Sequence, residues 1–354
     1  MSNALPVEFA ARCRHFGLAD DGQTLEGGAA LAERDIAAAQ ATASPLTDCA
    51  VLRAQGADAV DFLNNLLTND VKSLPAGALR MAGFCTPKGR LLALFHVLRD
   101  PLAPDDLLLI LPAELAAPMA KKLSMYILRS KVRLTDATAE WAVFGIASPA
   151  AASVADGLAA VSPPLCFDGA TVLALNHAAP PALGVVLAPA AEAPAAWAAL
   201  RQALPAVGLA AWRGLEIAAG LPRIVAATQE AFVPQMLNME LQAVAGINFR
   251  KGCYPGQEIV ARTQYLGKIK RRMHRALLPA ATVPGAPLFA PETGDQQCGA
   301  VVSVAPAAGG SELLVCVQSG AVEAGDVRVG SVDGPRLAFA TLPYDLDGPD
   351  TRAS

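Results

Sequence analysis

Residues 249–258 read Phe249-Arg250-Lys251-Gly252-Cys253-Tyr254-Pro255-Gly256-Gln257-Glu258, inside the longer stretch AFVPQMLNMELQAVAGINFRKGCYPGQEIVAR at 231–262. Gly252, Pro255 and Gly256 predict a tight, unusual turn that lets the backbone approach a ligand closely. Cys253 lies two residues from Lys251 and three from Arg250. Cations facing the sulfur would lower its pKa and free the thiolate. The same residues read equally as a buried structural cysteine in a glycine turn.

Upstream of this stretch the periodicity predicts a module. Val51 to Arg53 reads as a strand and Gly56 to Thr68 as a helix with Val60, Leu63 and Leu67 on one face. Strands follow at Ala78 to Cys85 and Leu91 to Leu98, joined by the turn Thr86-Pro87-Lys88-Gly89, with a further short strand at Leu107 to Leu111. A helix over Ala116 to Leu128 and a strand over Lys131 to Leu134 complete an order close to β-α-β-β-α-β. The pattern recurs with strands at Trp141 to Ile146, Ala170 to Leu175 and Leu183 to Leu187, and helices at Ala150 to Ala159 and Ala195 to Leu204. Two successive split-βαβ modules predict an α+β protein. Residues 1–45 read as a short start and a Gly/Ala-rich helical stretch, and Trp212 to Val244 is mixed. After Arg275, short apolar runs between Gly/Pro clusters (Ala300 to Val304, Leu313 to Val317, Arg336 to Ala340) predict a small β-barrel or sandwich.

Composition bounds the function. The 354 residues exceed the roughly 250–300 at which single cores split, so two or three domains are expected. The most apolar stretch, Ala178 to Leu200, carries four prolines and Glu192, which excludes a membrane span. The N-terminus has no signal-peptide core, and a cytoplasmic protein is expected. A net charge of −4 argues against a whole-chain nucleic-acid binder. The seven cysteines (13, 49, 85, 166, 253, 298 and 316) show no zinc or ferredoxin spacing, and the four histidines are scattered. Free thiols and no permanently bound metal are expected. The run Lys268-Ile269-Lys270-Arg271-Arg272-Met273-His274-Arg275 reads either as an RNA contact or as a solvated strand entering the β region. Asp70 reads as a turn residue bonding its local backbone.

The stretch 231–262, with its uncommon KGCYPGQE string, resembles the signature of the YgfZ family of folate-binding proteins. Pro234, Gln235 and Asn238 fit the same family. So do Thr68-Asn69-Asp70-Val71, the Pro87-Lys88-Gly89-Arg90 turn and Ala219-Gly220-Leu221-Pro222, so that the anchors span about 46–275. The family is similar in fold to the glycine-cleavage T-protein, an aminomethyltransferase. The resemblance implies a three-domain architecture around a central channel that holds tetrahydrofolate or a one-carbon derivative. Residues 1–138 plus 212–272 would form the folate-site domain, 139–211 an inserted ferredoxin-like domain and 273–354 a C-terminal β-barrel.

The resemblance also implies a function: a folate-binding accessory protein supporting iron–sulfur cluster assembly or repair in a subset of enzymes, tRNA-modifying ones included. Its partners would be folate and iron–sulfur client or assembly proteins, with no membrane. Cys253 would be the functional thiol and Lys251 would set its charge environment. A pterin wants an amide or carboxylate acceptor, for which Asn238, Gln257 and Glu258 are candidates. The glutamate tail wants cations, for which Arg262 and Arg223 are candidates. Two alternatives stay open: a folate-dependent one-carbon transferase, and an RNA-binding module using 268–275. Against the transferase, no carboxylate lies between Arg90 and Asp100, where the T-protein carries an aspartate pair. His96 is one substitute, but it reads more simply as a core residue. The position before Ala219, often acidic in the family, is Ala218 here, with Glu216 two residues earlier.

Overall fold

The computed structural model describes residues 7–149, 171–174, 181–265 and 269–346. It is a mixed α/β protein in which three antiparallel sheets share the core. The first sheet uses β2 (Cys49–Gln55), β3 (Leu79–Cys85), β4 (Leu91–Arg99), β5 (Leu107–Pro112) and β6 (Arg133–Asp136), in the order β3-β4-β5-β2-β6. β5 is buried throughout and β4 nearly so, as expected of apolar runs covered on both faces. The β3–β4 hairpin turns where predicted: Gly89, at φ +70°, donates to the Thr86 carbonyl.

A split βαβ unit carries a third, antiparallel strand between its two parallel ones, and β2 lies in this way between β5 and β6, which a helix joins; every ladder of the sheet is antiparallel. Two local expectations shift. The helix read over 56–68 forms only at α3 (Ala59–Asn64). Beyond it the Asn64 side chain accepts from the Val71 N–H (3.1 Å), and the Thr68 N–H donates to the Gly83 carbonyl, which draws the chain along β3. The helix read over 116–128 starts just after Pro112 and ends early, as α4 (Ala113–Ser124).

The second sheet runs β1-β7-β9-β8, from β1 (Thr42–Pro45), β7 (Trp141–Ser148), β8 (Thr171–Ala174) and β9 (Ala182–Pro189). Thr42–Pro45, read as the end of a helical stretch, is thus a strand; only α2 (Ala30–Ala39) of that stretch is helical beyond α1 (Val7–His15). Cross-strand pairing with Phe144–Ala147 overrides local propensity here. The helix read at 150–159 lies outside the described residues. α5 (Ala193–Ala203) covers the sheet by stacking Trp197 on Phe144, with ring centroids 5.4 Å apart. α6 (Leu209–Ala218) ties the first two sheets: a side chain at Gly145 of β7 would meet the Trp212 ring at 2.5 Å, so only glycine lets the indole lie on the strand. Glu33 of α2 fixes the start of α6, accepting from Gly208 N–H (2.7 Å) and Leu25 N–H (2.8 Å); a buried carboxylate suits a helix N-terminus.

The all-β texture after Arg275 forms a six-stranded sheet in the order β14-β11-β12-β13-β10-β15. Its strands are β10 (Arg271–Leu278), β11 (Pro287–Phe289), β12 (Gly299–Ala307), β13 (Gly310–Gln318), β14 (Arg328–Val329) and β15 (Ala338–Ala340). Its two edges meet: Arg328 bridges Arg336, and Leu337 N–H donates to the Val327 carbonyl. The basic run enters this sheet as β10. Arg272 pairs with buried Glu240 and Arg275 with buried Glu312. The strand reading therefore holds for the described part of the run, whose first residue, Lys268, lies outside it.

α7 (Gln257–Tyr265) begins where two signature turns touch. Gly256 sits at φ +82°, and a Cβ there would lie 2.5 Å from the Thr86 carbonyl oxygen and 2.7 Å from Gly89. Gly256→Ala should therefore lower the urea unfolding free energy by at least about 2 kcal/mol, through steric conflict and an unfavourable φ together. Gly252→Ala, where nothing lies within 4 Å, should cost less than about 1 kcal/mol. Equal midpoints for the two variants would show that the turn is not locked.

Candidate functional site

The loop that carries KGCYPGQE is shaped from both ends. Asn248 N–H donates to the Thr68 carbonyl, and its side-chain oxygen accepts from the N–H groups of Arg250 (2.8 Å) and Lys251 (3.1 Å). Thr68 Oγ1 donates to the Gly246 carbonyl and Asn69 Nδ2 to that of Ala245, both at 2.7 Å. Lys251 then turns inward. Its Nζ donates to the carbonyls of Asn64 and Leu67, beyond the last turn of α3, and lies 4.9 Å from the Tyr254 ring centroid. A cation there complements the helix dipole and satisfies free carbonyls. Burial pulls the Lys251 ammonium down to about 8, although Asp70 and Cys253 pull the other way. Tyr254 is buried as well.

Cys253 points the opposite way, into solvent. Among the described residues it is the exposed free cysteine, whereas Cys13, Cys49, Cys85, Cys298 and Cys316 are buried. Burial pushes those five thiols up, to about 12 for Cys85 and Cys316. They are unreactive core residues. The structural-cysteine reading of Cys253 is thereby set aside.

The residues proposed for a folate do not all converge. Gln257, Glu258 and Arg262 share α7, and Glu258 and Arg262 are four residues apart, on one face. All three lack a side-chain hydrogen bond or ion pair among the described residues, and Glu258 and Arg262 are exposed. Asn238, at φ 58°, is fully buried with its amide against Met273 of β10 (Nδ2 to the carbonyl, 2.9 Å). Arg223 donates to Asp48 (2.9 Å). A ligand would reach these two only by displacing protein partners. Asp70 behaves as a turn residue, accepting from Lys72 N–H and the Ser73 hydroxyl.

The sequence reading missed the centre to which Arg223 belongs. Asp48, between β1 and β2, takes a two-pronged contact from Arg213 (2.7 Å to each oxygen) beside Arg223. Burial would raise the Asp48 carboxyl, but the two arginines outweigh it and hold it at about 2. Glu216 accepts from Trp212 Nε1 (3.0 Å) and pairs with Arg213. His96 of β4 faces this cluster. Burial, and then Arg223 and Arg213, push it down to about 4 against the pull of Glu216, and its Nδ1 is buried without a hydrogen-bond partner. It is neutral at pH 7 and half-buried on β4. Elsewhere on β4, Leu91 to Phe95 are all buried.

Beside the thiol loop lies a cleft of about 580 Å³ between Asn69–Met81 and Val244–Arg250, with Tyr265 of α7 at its edge. Its lining contains Arg80, Arg250, Phe249 and Tyr265 but no carboxylate. No part of it was legible in sequence, because it joins three distant segments. No group of three or more metal-ligating side chains forms among the described residues.

Known proteins are similar to this chain over most of its length. A protein described as tRNA-modifying protein YgfZ from Serratia proteamaculans (strain 568) is 31% identical over 312 residues, covering 85% of this chain and 92% of its own. The chain belongs to the YgfZ family. The YgfZ relative of Escherichia coli O157:H7 is 28% identical over 319 residues, covering 86% of this chain and 94% of its own. The GCVT N-terminal domain family matches residues 6–164. The glycine cleavage system aminomethyltransferase T of Bartonella henselae shares the fold, with a TM-score of 0.64 and 18% identity over 93% of this chain and 91% of its own. No helix among the described residues is long and apolar enough to cross a membrane.

Two outcomes test this geometry. Lys251→Met removes the donor to two carbonyls and should cost about 1–3 kcal/mol of stability by urea unfolding; an unchanged midpoint would mean that solvent satisfies those carbonyls equally well. For His96, the folded pKa of about 4 lies below the unfolded value, so the unfolded chain binds the proton first. Its contribution is complete above about pH 6.5 and is lost as pH falls toward 4, on the order of 3 kcal/mol in all. His96→Gln should flatten the stability profile in that window, above the range where Asp48 titrates. A profile unchanged by the substitution would place His96 in water.

Proposed function

We propose that this chain is a folate-binding accessory protein whose exposed thiol, Cys253, acts in the assembly or repair of iron–sulfur clusters in a subset of enzymes, including tRNA-modifying ones. The observation that carries this reading is the contrast among cysteines. Among the described residues five are buried with raised pKa values, and one is presented to solvent on a loop whose backbone is pinned by Asn248, Thr68 and Asn69. An exposed thiol with no second cysteine beside it among the described residues suits a cluster or sulfur species shared briefly with a partner, since a resident cluster takes four ligands. The relatives from Serratia proteamaculans and Escherichia coli, described as tRNA-modifying proteins, support the same direction.

Tetrahydrofolate fits the aminomethyltransferase-like fold. Glu258 or Gln257 would take the pterin edge and Arg262 the glutamate tail. These three side chains are free to do so, while Asn238 and Arg223 would contribute only after a rearrangement. We also assign residues 1–138 plus 212–272 to a folate-site domain, 139–211 to an inserted domain and 273–354 to a barrel around a central channel. The meeting of β14 with the segment before β15 supports the barrel. A one-carbon transferase is the weaker reading. β4 offers buried leucines and an alanine in place of carboxylates, and His96, half-buried, is held neutral.

Anaerobic calorimetric titration with tetrahydrofolate tests the first half of the reading, with one-to-one saturable binding expected. Cys253→Ala should keep that affinity and the thermal midpoint, yet abolish support of iron–sulfur enzyme activity in cells lacking the wild-type chain. Normal enzyme activity with the variant would remove the thiol from the function. Absence of folate binding would leave the thiol role standing alone.

A further inference from the structure

The acid-free cleft beside the thiol loop is not used by the folate reading. Its floor is apolar, from Leu74, Met81 and Val244. Its rim carries two cations and two aromatic rings. Arg250 is exposed and makes no ion pair among the described residues. Arg80 is held through Nη1 alone, by the Asp70 carbonyl and the Ser73 hydroxyl. Tyr265 is 71% exposed, and its ring meets Phe249 edge to face at 6.0 Å.

Several of the side-chain groups that could read the edge of a specific ligand are already occupied. Asn69 Nδ2 donates to Met81 and Ala245 while its oxygen accepts from Asp70 N–H. Asn248 Oδ1 is taken by Arg250 and Lys251. Asp70, beside the cleft, has its carboxylate turned into bonds from Lys72 N–H and Ser73. A pterin needs an acceptor for its amide edge, and these three side chains offer none free. What remains is cationic charge and a stacking surface, which together recognise a phosphate backbone and an unstacked base whatever its sequence. The volume of about 580 Å³ falls within the ordinary range of ligand pockets.

We propose that this cleft binds an unpaired segment of RNA, with one base stacked on Tyr265 and Phe249 and the flanking phosphates on Arg80 and Arg250. Arg250 is three residues from Cys253, so a strand seated here runs beside the thiol loop. The site is distinct from the basic run of β10, whose Arg272 and Arg275 are neutralised by Glu240 and Glu312.

The test is fluorescence polarisation of the full chain with a labelled mixed-sequence single-stranded RNA of about eight nucleotides, a length within the usual site size. Saturable binding is expected, with a log–log salt slope near about −1.4 for two phosphate contacts. Tyr265→Ala should weaken binding by about five- to a hundred-fold and leave the slope unchanged. Arg250→Ala should shallow the slope by about 0.7. Both positions are exposed, so both variants should keep the wild-type thermal midpoint. No binding, or binding indifferent to both substitutions, overturns the proposal. Tetrahydrofolate titrations of the same variants separate it from the folate reading: unchanged folate affinity is expected, and loss of folate affinity without loss of RNA affinity would give the cleft to folate and overturn the RNA assignment.

Discussion

Three side chains reach across half the chain to hold the thiol loop in place. Thr68 and Asn69 bond the carbonyls of Gly246 and Ala245, and Lys251 returns the contact to the carbonyls of Asn64 and Leu67. Each bond joins segments that a flexible chain would bring together only at a large entropic cost. Once made, they leave the loop little freedom. Lys251 and Tyr254 must point inward, and Cys253, between them, must point out. The contact of Gly256 with Thr86 and Gly89 then sets where α7 begins. The cleft follows from the same constraint, since its walls are the two segments that these bonds clamp together. Lys251 thus acts first as a structural cation. Its charge is committed to the end of α3, and its loss of hydration is the largest influence on its own titration.

A second set of long-range contacts couples the sheets. Asp48 gathers Arg213 and Arg223 beneath β4, and Glu33 and Arg34, neighbours on α2, reach in different directions. Glu33 bonds the start of α6, and Arg34 pairs with Glu312 of β13. Buried pairs of this kind gain little over well-packed apolar residues, but removing one member strands its partner and is costly. Their effect is to fix how the sheets sit relative to one another. His96 faces the same cluster and is kept neutral chiefly by burial, with Arg223 and Arg213 adding to it and Glu216 opposing.

The sequence disclosed the periodic parts of this fold and little of what depends on distance. Strands β2 to β5 and the β3–β4 turn were legible because apolar alternation and a Gly/Pro turn are local signals. α3 was overread because Leu66 and Leu67 continue the apolar face after the backbone has left the helix for β3. Thr42–Pro45 was misread because its strand character comes wholly from its partner β7. For the candidate site, the glycine turn and Cys253 were legible. The direction of Lys251 was not, since two of its partners lie more than 180 residues away. Nor was the bond of buried Asn238 to the Met273 carbonyl, 35 residues away, because a buried polar residue and a binding residue have the same appearance in sequence.

The aminomethyltransferase-like fold and the composition of β4 together bear on where any chemistry takes place. Acid–base work on a small substrate needs a titratable group inside an enclosed site. β4 is closed by Leu91 to Phe95, and the next residue, His96, is half-buried and uncharged at pH 7. On the proposed reading the reactive group is instead a thiol at the surface, next to an open, cation-rimmed cleft. An exposed nucleophile gives poor control over a small diffusing molecule, which water and other thiols reach as easily. It is well suited to a macromolecule, which supplies its own enclosure when it docks. On the proposed reading, the partner completes the site, and the folate-type fold serves to hold the thiol loop rigidly where that partner can reach it.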